Sequence, residues 1–181
     1  MYLKDSNYFQ IKNEYLKFLK KRESKGTKLI DKIDKLNKFY LPVCSWIYSV
    51  YSKDYKQKII GLSGGQGTGK STVTEILRFI LEKKYNLNIC VFSIDDFYKT
   101  KAERKKMSKK VHSLFYTRGV PGTHDVDLLE KTLKNLKKKK FKKVLIPKFD
   151  KSIDNRCQKS KWTKVTKPPS IIIFEGWRSE E

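Results

Sequence analysis

The sequence has no CxxC pair and only three cysteines, Cys44, Cys90 and Cys157, in 181 residues. An odd number without metal-ligand spacing excludes a zinc ribbon and a disulfide framework. Cys90 lies inside an apolar run and reads as a small core residue rather than a nucleophile. The N-terminus, MYLKDSNYFQ, lacks the apolar stretch of a secretory signal. No run approaches the roughly 20 apolar residues of a membrane helix. A cytoplasmic chain with no membrane partner is therefore expected. There is no internal repeat. Acids are scarce: 19 Asp and Glu stand against 42 Lys and Arg, a formal charge of +23. Within that excess arginine is scarce too, limited to Arg22, Arg78, Arg104, Arg118, Arg156 and Arg178. Base readout in nucleic acid favours Arg in an organised motif, and no RRM, KH, zinc-finger or helix-turn-helix signature is present. The lysine excess reads first as solvated helix surface. Acidic partners, whether nucleic acid, an anionic membrane or phosphorylated small molecules, are the alternative it leaves open.

What is present, 38% hydrophobic and 13% aromatic residues, suffices for a core. Residues 7–23 place Tyr8, Ile11, Tyr15, Phe18 and Leu19 on one helical stripe, and Gly26 breaks it. Residues 27–39 (Leu29, Ile30, Ile33, Leu36) predict a second amphipathic helix, and Pro42 a third in LPVCSWIYSVY. Residues 1–56 are thus expected to form a helical N-terminal element ahead of an α/β core over 57–181. From Lys58 the pattern changes. KIIGLSG reads as a buried strand. KSTVTEILRFILEKKY then repeats Val73, Ile76, Leu77, Ile80 and Leu81 at amphipathic helical spacing. NICVFSI supplies a second strand, so a βαβ unit spans about 58–94. Residues 100–124 are polar, basic and irregular or partly helical. DVDLLEKTLKNLKKKK predicts a helix with Asp125 as N-cap and lysines at its C-terminus, where the dipole favours them. FKKVLIPKFD is a short strand that Pro147 confines to an edge or hairpin. After a basic loop over 150–169, PSIIIFEGW is all-apolar, as the interior of a parallel sheet requires.

The stretch GGQGTGKS fits the phosphate-loop pattern G-x-x-x-x-G-K-[ST] completely. Gly64, Gly65, Gln66, Gly67, Thr68 and Gly69 let backbone N–H groups converge on phosphate oxygens without Cβ interference. Lys70 can reach the β- and γ-phosphates, the Ser71 hydroxyl can enter a Mg²⁺ shell, and Thr72 continues into the helix whose dipole favours anions. Strand before and helix after match that mechanism, so ATP-type nucleotide binding is expected. Glu175 ends the last strand, where an open parallel sheet faces its ligand crevice, and is the second candidate for the metal. The N-K-x-D signature of GTPases is missing. In FSIDDFYKT two adjacent acids end the strand that follows the phosphate-loop helix. Asp95 should face the crevice, as proton acceptor or metal ligand, while Asp96 points elsewhere and caps the next turn. Their repulsion is expected to be relieved by Mg²⁺ and Lys70.

GLSGGQGTGKST, SIDDFY, RGVPGTHD, IPKFDKS and FEGW occur in an order and spacing that resemble D-glycerate 3-kinases of the plant and cyanobacterial type, within the phosphoribulokinase and uridine kinase group. FYLPVCSWI resembles that family's N-terminal helix, so the likeness covers roughly residues 38–177. The resemblance implies a phosphate-loop NTPase fold of three αβα layers. It also implies transfer of the γ-phosphoryl of ATP, with Mg²⁺, to a hydroxyl of glycerate. Residue by residue it makes Asp95 the catalytic base, Lys70 and Ser71 the phosphate and metal contacts and Glu175 the acid after the third strand. It places Tyr98, Arg118, His124, Asp125, Asp150 and Lys151 in segments walling the acceptor site. Arg118 or Lys151 would suit the carboxylate of glycerate, and His124, Asp125 or Asp150 its hydroxyls. His124 as a loop histidine and Asp125 as a helix cap are the competing readings. Arg156 is left between steering an anion and plain solvation. Family members add two further parallel strands and a lid, whereas this sequence ends at WRSEE. A C-terminally truncated core is therefore expected, with brisk turnover only if the rest is supplied. Uridine or pantothenate kinase-like specificity, and a nucleotide- or nucleic-acid-binding protein without kinase activity, are the alternatives.

Overall fold

The computed structural model describes residues 6–23, 29–138 and 140–176. Helix α1, Ser6–Glu23, buries Ile11, Tyr15 and Leu19, the stripe read from the sequence. The second and third expected helices differ from expectation. Helix α2, Lys32–Lys35, runs through a π turn at Leu36–Tyr40 directly into α3, Leu41–Ser52. Pro42 has no amide to offer the carbonyl four residues back, and its ring crowds that turn. The Leu41 N–H reaches Leu36 O instead, five residues back, and the helix widens rather than stops. Leu29 and Ile30 precede α2, and the expected break at Gly26 lies outside the described residues.

Strand β1, Lys58–Ser63, leads through the glycine-rich loop to α4, Lys70–Tyr85, and then β2, Ile89–Ser93. A 3₁₀ turn at Ile94–Phe97 follows. The basic segment after it contains α5, Lys101–Lys110, where Thr100 and Glu103 form a capping box. Asp125 caps α6, Val126–Leu136, by accepting from the Leu128 amide, as the sequence predicts. The short pieces β3 (Val144–Ile146), β4 (Phe149–Asp150), β5 (Asn155–Arg156) and β6 (Thr163–Val165) make two small antiparallel pairs, β3 with β6 and β4 with β5. Pro147 thus sits between two-stranded ladders, outside the main sheet.

Strand β7, Ile171–Gly176, lies between β1 and β2 and is parallel to both. Its alternation joins the layers. Ile171 and Ile173 enter a core with Tyr15, Leu36, Cys44, Ile47, Ile76, Leu77 and Ile80. Ile172 enters the opposite core with Phe92, Phe97, Leu136, Val144 and Ile146. Each of these isoleucines is fully buried, at about 2–3 kcal/mol of transfer free energy apiece. Helices therefore cover both faces of a parallel sheet, the phosphate-loop kinase architecture. Cys90 is a core thiol, with burial pushing its pKa up to about 12. The register pairs Glu175 with Leu62 on one side and with Ser93 on the other, so all three strands end level at one rim. No helix among the described residues is long and apolar enough to cross a membrane.

Candidate active site

Beyond Ser63 the chain turns through residues 64–69 into α4. Gly67 and Gly69 take φ values of +77° and +82°, left-handed geometry that side chains resist. A Cβ on Gly64 would lie 3.2 Å from Thr68 Oγ1, which itself donates to Gly65 O at 2.8 Å. Lys70 Nζ folds back over the loop and donates to Gly64 O and Gly65 O, both at 2.7 Å. The N-terminus of α4, with the positive end of its dipole, therefore meets the rim where the strands end, while the Thr72 and Val73 amides are already bonded to Gly69 O.

Glu175 is 8% exposed. Ser71 Oγ donates to its Oε1 at 2.8 Å and Thr74 Oγ1 to its Oε2 at 3.4 Å. Asp95 and Asp96 sit one step past β2, in the 3₁₀ turn, and part company there. Asp96 turns inward: its Oδ2 accepts from the Ser93 amide at 3.3 Å and its Oδ1 from the Phe149 amide at 3.2 Å. Burial raises its pKa, the two amides lower it, and the charges of Asp95 and Glu175 raise it again. Asp95 Oδ2 is paired with Lys151 Nζ at 2.6 Å, and the Tyr98 hydroxyl hydrogen-bonds the same carboxylate. Burial, and then the Asp95 charge, push Tyr98 up to about 12. The expected relief of the acid pair by Lys70 is corrected: Lys70 is held by loop carbonyls, Lys151 neutralises Asp95, and backbone amides satisfy Asp96.

A cleft of about 690 Å³ joins these parts. Lys70, Ser71 and Thr72 line it together with Asp95, Asp96, Tyr98, Arg118, Phe149, Lys151 and Glu175. Of the residues expected to wall the acceptor site, Tyr98, Arg118 and Lys151 line the cleft. His124 stands behind Tyr98, with ring centroids 4.2 Å apart and planes 20° from parallel. Its Nε2 is buried without a hydrogen-bond partner among the described residues. Burial lowers its pKa, against the pull of Asp95. Asp125 does not line the cleft. It caps α6 and pairs through Oδ2 with Arg156 Nη2 at 2.9 Å. Asp150 is also off the wall and accepts from Ser152 Oγ and N at 2.5 and 2.9 Å. Arg156 is tied to Asp125 and to Tyr98 O, so neither anion steering nor plain solvation describes it.

Sequence reading passed over Arg104, which is fully buried. It donates to Lys99 O, Tyr116 O and Asp154 O, and pairs with Asp154 Oδ2 at 2.9 Å. Asp154 Oδ1 takes Arg118 Nη1 at 2.6 Å. Burial raises the Asp154 carboxyl, but the two guanidiniums outweigh it and hold the pKa low.

Among the described residues no group of three or more His, Cys, Asp or Glu is arranged to hold a metal on its own. The Ser71 hydroxyl hydrogen-bonded to Glu175, with Asp95 lining the same cleft, is a hard oxygen donor set. That fits Mg²⁺, which keeps several waters and takes one or two carboxylates plus phosphate oxygens. Zinc or copper would ask for nitrogen or sulfur ligands.

The phosphate loop, the level strand ends and the acids thus share one cleft, and relatives give the family. The model of the phosphoribulokinase / uridine kinase family matches residues 59–179, and the chain belongs to that family. An uncharacterized kinase of Schizosaccharomyces pombe, mug58, is 40% identical over 126 residues, covering 66% of this chain and 45% of that protein. The chloroplastic D-glycerate 3-kinase of Arabidopsis thaliana is 33% identical over 162 residues, covering 79% and 35%. The solved D-glycerate 3-kinase of Cryptococcus neoformans aligns with a TM-score of 0.63 at 26% identity, covering 76% of this chain and 51% of that one. The chain thus spans about a third to a half of the length of these proteins.

Proposed function

We propose that the protein transfers the γ-phosphoryl of ATP to a hydroxyl of a small hydroxy acid, D-glycerate being the first choice. The observation that carries this reading is one cleft lined at once by Lys70 and Ser71 of the phosphate loop and by Asp95, Tyr98 and Arg118. The loop amides and Lys70 hold the β- and γ-phosphates. Ser71 and Glu175 would hold Mg²⁺, with Asp95 at its edge, and the ion when bound would offset charge on the phosphates. Asp95 accepts the proton of the acceptor hydroxyl as its oxygen bonds to the γ-phosphorus and the bond to ADP breaks. Lys151, 63% exposed, moves off Asp95 when the acceptor enters. Tyr98 and Arg118 orient the acceptor. His124 supports Tyr98 from behind, while Asp125 and Asp150 act at one remove, by holding the walls. The relatives named D-glycerate 3-kinase support the acceptor class; other relatives are named uridine kinases, which makes a nucleoside the second reading. An acceptor panel read by ADP release separates them. Acceleration by D-glycerate and not by uridine or pantothenate supports the first reading, and the reverse order refutes it. ATP binding without any acceptor-dependent release would point to a nucleotide-binding role instead.

A further inference from the structure

Burying an arginine is costly unless its charge and its donors are met. Arg104 is fully buried under the cleft wall, and carbonyls at Lys99, Tyr116 and Asp154 meet three of its donor directions. Its charge is met by a single carboxylate, Asp154, whose backbone sits at φ +52°, a left-handed value costly for a side chain other than glycine. That carboxylate is shared. Oδ2 belongs to Arg104 and Oδ1 to Arg118, which is 36% exposed and lines the cleft. The three charges sum to one positive. Arg104 offsets Asp154, so Asp154 fixes the Arg118 guanidinium without cancelling its charge. The bond to Asp154 uses Nη1 of a planar group with five N–H donors, a fork matched to a second carboxylate. The other cleft cations are differently engaged, Lys70 by loop carbonyls and Lys151 by Asp95.

Resting on the kinase reading above, we propose that Arg118, pre-set by Asp154 and the buried Arg104, is the specificity determinant that selects acceptors carrying a carboxylate. Arg104 and Asp154 are positioning residues: they touch no substrate and act through the orientation of Arg118. A pre-oriented fork avoids the side-chain ordering that a free surface arginine would undergo on binding.

The test is calorimetric binding of D-glycerate, and of glycerol as the analogue without the carboxylate, to the chain with ADP and Mg²⁺ present. It reads Arg118→Lys, which keeps the charge and loses the fork, and Asp154→Asn, which keeps the shape and loses the charge. D-Glycerate is expected to bind at least about tenfold more tightly than glycerol, a charge-assisted contact's share of affinity. Both variants are expected to lose about that factor for D-glycerate alone. ADP affinity in Asp154→Asn stays within about twofold, which a general loss of structure would not allow. The proposal is overturned if the parent shows no preference for the carboxylate, or if neither variant reduces it. It is also overturned if ADP and D-glycerate affinities fall together in both variants. D-Glycerate bound through Arg118 but never phosphorylated would sink the kinase reading and leave this one standing. D-Glycerate phosphorylated equally well by both variants would do the opposite.

Discussion

Replacing Asp96 by alanine tests how the two adjacent acids divide their work. Asp96 ties the end of β2 to the start of β4, because its two oxygens accept the amides of Ser93 and Phe149. Hydrogen bonds to a charged group contribute about 1.5–3 kcal/mol each, so the pair contributes about 3–6 kcal/mol gross. Part of that is already spent on keeping a carboxylate half-buried beside Asp95 and Glu175, which is why its pKa is raised. Alanine removes that cost together with the bonds, but strands two inward-facing amides. The net loss expected is about 2–4 kcal/mol, a large share of the 5–15 kcal/mol of a typical domain. Asp96→Asn should fall in the same range: its oxygen can serve one amide, while its NH₂ faces the other, donor against donor. Urea unfolding of the three proteins, with matched slopes, gives the numbers. A loss under about 1 kcal/mol in both variants would show that these bonds do not hold the turn and that Asp96 is free for chemistry.

Three further outcomes are expected. Burial lowers the pKa of His124 below its ordinary value. Its contribution to stability is full above its ordinary value of 6.5 and is lost as pH falls below it, because the unfolded chain takes the proton first. Urea midpoints between about pH 7.5 and 5.5 should fall less in His124→Phe, which keeps a ring on Tyr98, than in the parent; equal slopes would contradict the reading. Gly69→Ala places a side chain at φ +82°, so it should cost about 1–2 kcal/mol and weaken ATP binding measured by calorimetry. Ile80 is fully buried where α4 meets the N-terminal helices; Ile80→Ala should cost about 2–5 kcal/mol in urea unfolding, and a loss below about 1 kcal/mol would mean that this core is loosely packed.

The phosphate loop, α4 and the central strand were legible because motif, glycine placement and hydrophobic period agree over one short stretch. The Ile171–Ile173 run announces a strand covered on both faces, and both cores meet there. Alternation at a strand end predicts that Asp95 and Asp96 diverge, but both lie past β2 in a 3₁₀ turn, where Asp96 is turned by the Ser93 and Phe149 amides. Their partners were not legible, since Lys151 lies 56 positions from Asp95 and nothing local points to it. Arg104 was invisible for a similar reason. In KAERKKMSKK one more basic residue looks like solvated surface, and the carboxylate that draws it inward is 50 residues away. The stretch at Pro42 reads as the start of a third helix because proline suits a helix's first turn; here a π turn absorbs the missing amide and the helix runs on.

The central claim is that Asp95 accepts the acceptor's proton in an ATP-dependent phosphoryl transfer. ADP release measured with and without D-glycerate, in the parent and in Asp95→Asn, tests it most directly. Acceptor-dependent release is expected in the parent. Asp95→Asn is expected to lose that release by at least about a hundredfold, the scale of general-base catalysis, with ATP still bound. Release that survives in Asp95→Asn at the parent's rate would contradict it.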